Sequence, residues 1–315
     1  MFFKKYSGLA CCLLAALFWG TTFVAQDKAA ETIPSFTFLA LRSFVGAFAL
    51  LLVFLVKDAW NKKRGTFTPP TREKHYVAWY GGAICGLLLF AASALQQFGI
   101  ASNTGSPGKD AFITALYIVF VPLFGFFLGK RAEPHIYACV LVALGGLWLL
   151  CMNGSSLTVG DIQLIACSIL FACQMIMVDH VGDRVDAVRL SAVQFLVVAV
   201  LSTVFAVIFE KPTVSGILTG WWTVLYAGIL SSAVAYTLQI VGQQRTPATL
   251  ASLVLSLESV VAVIASMIAL KLYPRPVELV GMALIFIAII VSQLPFKYKK
   301  RGAIATAENA PDNAE

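Results

Sequence analysis

SALQQFG at Ser93–Gly99 and YTLQIVG at Tyr236–Gly242 are the two strings whose reading decides the fold. They share Leu, Gln and Gly at matching places 143 residues apart, and each lies near the C-terminal end of a long apolar stretch. Working outward, an offset of 152 pairs Trp19, Gly20, Thr21 and Asp27 with Phe171, Ala172, Cys173 and Asp179, and pairs Arg42 with Gln194. A long basic segment after the second apolar stretch accounts for most of the change in offset. The chain therefore reads as two related halves.

A helix that crosses a bilayer needs about 20 mostly apolar residues. Ten stretches meet that requirement, at about 8–26, 34–56, 76–99, 106–128, 134–152, 160–178, 190–209, 221–242, 247–270 and 276–295. Five spans per half is an odd number, so the second half enters the membrane from the opposite side, as in the inverted repeats of many secondary transporters. The expected fold is an all-α integral membrane protein with ten transmembrane helices in two inverted-topology five-helix repeats, residues 1–152 and 153–296. Residues 297–315 form a basic-then-acidic tail, expected to be cytoplasmic and disordered. Two halves of similar sequence and opposite orientation can exchange shapes, which exposes a central site to each side in turn; the alternative is a duplication in which one half has become passive.

Composition supports this reading and excludes others. At 59% hydrophobic and 12% charged, the chain falls well below the roughly 25% charged residues of a soluble domain. Its formal charge of +7 does not point to nucleic acid, because the basic residues fall in alternate loops. With the N-terminus inside, 17 of 23 Lys/Arg are cytoplasmic, five (Lys28, Lys109, Lys211, Lys271, Arg275) are outside, and Arg42 lies within a span. That bias predicts both termini in the cytoplasm; the membrane expected is a bacterial-type plasma membrane. The first span, although preceded by Lys4 and Lys5, lacks a small-x-small cleavage site and reads as a retained helix. The seven Cys lie in or beside spans without CxxC spacing, and His75, His135 and His180 are scattered at helix ends, so no metal or cofactor is expected. No Walker motif, zinc-protease motif or catalytic triad is recognisable, so the chain does not read as an enzyme or a nucleotide-driven pump.

Five strings in fixed order carry a family resemblance: FWGTTFVAQDK (Phe18–Lys28), LALRSF (Leu39–Phe44), GKDAFITALYIVFVPL (Gly108–Leu123), GDIQLIACSILFACQMIMVD (Gly160–Asp179) and YTLQIVGQQRTPATLASLVLSLESV (Tyr236–Val260). Over residues 8–295 the chain resembles the EamA-type branch of the drug/metabolite transporter superfamily. The resemblance implies a ten-helix permease that carries small metabolites by proton coupling, facilitation or exchange, many members exporting amino acids. The chain departs from the common pattern at Ser259, where a Pro usually follows the Glu. LGKRAE (Leu128–Glu133) and ALKLYP (Ala269–Pro274) likewise stand where a Gly-Glu pair commonly closes the fourth and ninth spans.

Charged side chains at membrane depth cost about 2.5–3.5 kcal/mol on insertion scales, so each needs a reason. Glu258 sits near the middle of the ninth span on a stripe with Ala251, Ala262, Ala265 and Ala269, which makes it a candidate for proton coupling or, alternatively, a brace between helices. Arg42, eight residues into the second span, is a candidate for a substrate carboxylate or for a structural tie to a helix end or to Asp27 or Glu31. Lys109 near the outer mouth either attracts anions or makes a local interaction with Asp110 or with a helix end. Ser232, Tyr236, Gln239 and Gln243 form one helical stripe, and Ser93 and Gln96 match Tyr236 and Gln239 through the repeat. These groups either line a cavity for a zwitterion or act as interhelical glue, because buried amides need partners. Trp19, Phe23, Trp79 and Tyr117 are candidates for apolar walls, whereas Ser252, Ser256, Ser259 and Ser266 read as a packing stripe. The expected substrate-binding set is thus Gln96, Gln239, Tyr236, Ser93, Trp19, Tyr117, Arg42 and Lys109. The expected function is secondary transport of a small organic solute by a monomer or weak homodimer, with export favoured on the resemblance. Uptake of a vitamin-like, nucleoside-like or cofactor-like metabolite is the alternative, and a non-transporting membrane scaffold a third.

Overall fold

The computed structural model describes residues 2–66, 71–130, 133–151, 158–273 and 275–292; the tail expected to be disordered lies outside them. The described chain is helical, with α1 (Phe2–Ala30), α2 (Ser35–Lys63), α3 (Arg72–Ser102), α4 (Pro107–Phe127), α5 (Pro134–Cys151), α6 (Val159–Val181), α7 (Ala187–Phe209), α8 (Trp221–Gln243), α9 (Ala248–Leu270) and α10 (Pro276–Ser292). Eight of these are long and apolar enough to cross a membrane, while α5 and α10 contribute shorter apolar stretches, Pro134–Gly146 and Leu279–Ser292. A short helix, Val214–Thr219, precedes α8. Several helices outrun the apolar spans of the sequence. α2, for example, continues to Lys63 because its last turns carry charged side chains that solvent and headgroups accept.

The bundle is inside out for water. Phe48, Val56, Leu87, Phe127, Val207 and Ile268 are exposed on its outer surface, whereas Gln97, Gln174, Gln194 and Gln239 are buried at its centre. An apolar face of that extent is unstable in water and at home in lipid. Trp79, expected as a cavity wall, is 51% exposed and faces outward with the lipid-facing set.

The helix contacts are unchanged when each helix of the first half is exchanged with its counterpart five places on. α1 packs on α8 and α9, and α6 packs on α3 and α4; α3 packs on α7, and α2 on α8; α2 meets α7, α4 meets α9, and α5 meets α10. The close approaches repeat in the same way. A Cβ on Gly99 would lie 3.0 Å from Gly160 O and one on Gly160 2.8 Å from Gly99 O, so α3 crosses α6 backbone to backbone at one end of the bundle. At the other end Gly8 and Gly242 make the equivalent crossing of α1 with α8, each with a Cβ position 3.1 Å from the other's carbonyl. Between them, Gly86 lies against Val197 and Gln194 O just as Gly228 lies against Val45 and Arg42 O.

Three helices are irregular. α4 is divided at Ala115–Leu116 and α9 at Ser256, where the backbone tightens to i→i+3 bonds such as Leu116 N to Ile113 O and Ser259 N to Ser256 O. Mid-helix tightening of this kind often marks a hinge. The two breaks fall 141 residues apart, at equivalent places in the halves. α8 is π-helical over Ala227–Ala235, while α3 is regular. The cause is one extra residue: Gly86 and Gly228 match at an offset of 142, but Gln96 and Gln239 at 143. A helix absorbs a single inserted residue as a wide turn.

The α2–α7 pair is fastened at both ends. The Glu210 carboxylate accepts from Phe36 N (2.7 Å), Thr37 N (2.8 Å) and Thr37 Oγ1 (2.8 Å), capping the first turn of α2. At the opposite end, and at the same offset of 152, Arg189 reaches Asp58 at 3.5 Å while stacking over Phe54.

Candidate functional site

At the centre of the bundle the two breaks face one another. Tyr117 opens the second piece of α4 and Glu258 lies in the first turn of the second piece of α9, at equivalent positions of the repeat. Tyr117 Oη donates to Glu258 Oε1 at 2.8 Å, so at the centre the two halves are joined by a hydrogen bond between unlike residues. Glu258 is 3% exposed.

Around this pair lies an internal cavity of about 30 Å³, enough for one or two water molecules and too small for a metabolite. Its lining comes from both halves: Trp19, Phe23, Gln26, Arg42, Gln96, Thr114 and Tyr117 from the first, and Phe171, Gln174, Met175, Ser231, Tyr236, Gln239 and Glu258 from the second. As it stands the site is closed, and a larger ligand enters only if helices separate.

The amides form one cluster per half. Gln26 Nε2 donates to Gln96 Oε1 (3.3 Å) and Gln97 Oε1 (3.1 Å), joining α1 to α3. Gln239 Nε2 donates to Gln174 Oε1 (3.3 Å), and Gln174 Nε2 to Gln194 Oε1 (3.3 Å), joining α8 to α6 and α7. Each cluster is partly glue, yet it presents amide edges to the cavity. Tyr236 is fixed between Trp19 (4.7 Å between ring centres) and Phe195 (5.1 Å), with Ser93 close to its hydroxyl. Arg42 is 3% exposed, lies 5.6 Å from the Phe38 ring centre and makes no ion pair with Asp27 or Glu31. Asp27 instead accepts from Gly105 N at 2.7 Å, and Glu31 pairs with Lys28. Four buried polar atoms of lining residues have no partner among the described residues: Trp19 Nε1, Arg42 Nε, Thr114 Oγ1 and Gln239 Oε1. Such atoms cost about 1–3 kcal/mol each when unmet, so the site holds donors and an acceptor ready for a polar ligand or water.

Of the residues singled out in the sequence, Gln96, Gln239, Tyr236, Trp19, Tyr117, Arg42 and Glu258 border the cavity, and Ser93 stands behind Tyr236. Lys109 does not reach it. Its Nζ lies 2.8 Å from Asp161 Oδ2 at the start of α6, and the expected partner, Asp110, instead accepts from Asn103 Nδ2 at 3.0 Å. Gln243 turns away to donate to Met175 O at 2.9 Å. The serine stripe on α9 bonds back to its own helix, Ser256 Oγ to Leu253 O and Ser259 Oγ to Ser256 O among others, as a packing surface does. Sequence reasoning missed Gln26, Thr114 and Gln174. Gln26 sits at the predicted end of the first span, and Gln174 lies between the matched positions Cys173 and Asp179, so neither showed as a mid-membrane amide.

The profile of the EamA-like transporter family matches the chain twice, over residues 6–152 and 158–293. A protein of Archaeoglobus fulgidus described as an uncharacterized transporter is 27% identical over 92% of this chain and 87% of its own length. The uncharacterized transporter YwfM of Bacillus subtilis is 27% identical over 91% of this chain and 94% of its own. A solved crystal structure superposes with a TM-score of 0.72 at 20% identity, covering 92% of this chain and 97% of that one, which shows a shared fold.

Proposed function

The chain belongs to the EamA-like transporter family, and from that premise we propose that it is a secondary transporter moving a small organic metabolite across a bacterial-type plasma membrane by alternating access. The halves 1–152 and 153–296 act as the two exchanging units, both termini face the cytoplasm, and export is the favoured direction. The observation that carries this reading is the Tyr117–Glu258 bond at the matched breaks of α4 and α9, inside a cavity lined by both halves. Discontinuous helices near the midplane are the usual place for substrate and coupling-ion sites in secondary transporters.

The chemistry follows from the lining. Glu258 offers a carboxylate for a proton or a substrate ammonium group, Arg42 a guanidinium for a substrate carboxylate, and Gln96, Gln239 and Tyr236 neutral hydrogen bonds between them. An amino acid or similar zwitterion fits that set. Coupling is assigned to Glu258: it holds a proton while bonded to Tyr117 in the closed site and releases it when opening brings water or a cation. The alternation is what links proton movement to solute movement.

The test is Glu258→Gln in proteoliposomes, with a solute found by thermal stabilisation of the purified protein. The amide keeps the shape and the bond from Tyr117 but cannot titrate. Accumulation driven by a pH difference is expected to fail while exchange down a gradient persists. A variant that still concentrates solute in response to the pH difference would show that Glu258 is structural.

A further inference from the structure

The two ends of the bundle are closed by equivalent hairpins but by unlike chemistry. One closure is made by the α3–α4 turn against α6, at the Gly99–Gly160 crossing; the other by the α8–α9 turn against α1 and the α6–α7 link, at the Gly8–Gly242 crossing. At the first, Lys109 Nζ lies 2.8 Å from Asp161 Oδ2, with the two side chains 19% and 2% exposed. Asn103 Nδ2 spans Asp161 Oδ1 and Asp110 Oδ1 at 3.0 Å each, and its Oδ1 accepts from Thr158 Oγ1 at 2.9 Å. Asp161 also completes a capping box with Thr158, and Asp27 of α1 accepts from Gly105 N in the same turn. Of these groups Asp161, Asp110 and Asp27 are buried, so removing a partner leaves a carboxylate there with one bond fewer.

At the other end no ion pair among the described residues ties the equivalent turn. Gln244 Nε2 donates to Gly182 O (2.8 Å) and Val185 O (3.0 Å), and the exposed Arg245 donates to Ser7 Oγ at 2.9 Å. Through the repeat, Lys109, Asp110 and Asp161 correspond to Leu250, Ala251 and Leu9, so the Lys109–Asp161 pair has no counterpart at the other end. The ion pairs that do lie near the second end, Lys57–Asp186, Arg189–Asp58 and Lys130–Asp179, join α2 to α7 and α4 to α6 and leave the α8–α9 turn untied.

We infer that Lys109, Asp161 and Asn103 form a charge latch on one gate only, so that the unloaded carrier opens more readily at the Arg245 end, cytoplasmic by the Lys/Arg bias, than at the Lys109 end. The latch rests on the alternating-access reading and adds to it a built-in resting direction. Loss of a partly buried, charge-assisted pair from one side is enough to move a two-state balance by about tenfold. Lys109 is thereby a gate residue that never meets the substrate.

Native Cys167 is the reporter: it is fully buried, in the core cluster that includes the cavity residues Tyr117, Phe171 and Tyr236. The full-length protein in oriented vesicles is treated with a charged, membrane-impermeant methanethiosulfonate from either face, and Cys167 modification is followed by peptide mass spectrometry. Wild-type protein is expected to react faster from the Arg245 face. Lys109→Gln is expected to raise the rate from the Lys109 face about tenfold and to lower it from the other. The exchanged pair, Lys109→Asp with Asp161→Lys, is expected to return both rates towards wild type and guards against a simple folding defect. Wild-type labelling with rates unchanged in Lys109→Gln overturns the latch and leaves alternating access standing. Failure to label wild-type Cys167 from either face overturns both.

Discussion

Substituting Gly99 by Ala tests the geometry of the closed end with a single added methyl group. The new Cβ would stand 2.6 Å from Leu164 Cγ, 2.9 Å from Leu164 Cδ2 and 3.0 Å from Gly160 O. Carbon atoms in ordinary contact are about 3.5–4.0 Å apart, so α3 must draw back from α6 by roughly 1 Å. Gly160 O is backbone and cannot swing aside as a side chain can. Overpacking of this kind costs about 1–3 kcal/mol, and the cost falls on the closed state of that gate alone. The corresponding shift in the opening equilibrium is about 5- to 150-fold. Reaction of Cys167 with an impermeant thiol reagent from the Lys109 face is expected to accelerate within that range. Gly242→Ala, whose Cβ would lie 2.5 Å from Cys12 Sγ and 3.1 Å from Gly8 O, is the mirror experiment and is expected to accelerate reaction from the other face. If both variants act on the same face, or neither changes either rate, the two glycine crossings are static packing and the reasoning fails.

Gln239→Leu removes the donor to Gln174 and an acceptor that faces the cavity. Solute affinity, read from thermal stabilisation, is expected to weaken by about 1–3 kcal/mol with folded yield retained; lost yield at unchanged affinity would mark the amides as glue. Glu210→Ala uncaps α2, and a lost cap costs about 0.5–2 kcal/mol. The unfolding midpoint in detergent is expected to fall by several degrees without altering solute affinity, whereas an unchanged midpoint would mean that water caps Phe36 and Thr37 equally well.

The spans and the pairing of halves were legible because a bilayer constrains helix length and apolar surface more tightly than water does. Arg42, Glu258, Tyr236 and the pair Gln96 and Gln239 stood out because polar groups are scarce in such stretches, and all border the cavity. What hydropathy does not register is a local change of winding. The breaks of α4 and α9 leave hydrophobicity unaltered, and the extra residue in α8 emerges only when Gly86 and Gly228 are seen to make the same contacts. Partners distant in sequence were equally hidden: Lys109 adjoins Asp110 in the chain, yet its carboxylate comes from Asp161 across the α4–α6 contact. Gln26 and Gln174 escaped because nothing near them in sequence says that their amides meet α3 and α8.

The cap that Glu210 places on α2 has a consequence for how the protein is made. Phe36 N is synthesised 174 residues before the carboxylate that accepts its proton. At about 5–20 residues per second, the ribosome leaves those amides waiting for roughly 10–35 s, during which they need water, headgroups or the insertion machinery to satisfy them. The first half therefore reaches the membrane with its second helix unfinished at one end, and α7 completes it on arrival. Truncation just before residue 210 is accordingly expected to leave a nascent chain that protease and quality control can recognise, however well its seven helices, α1 to α7, insert.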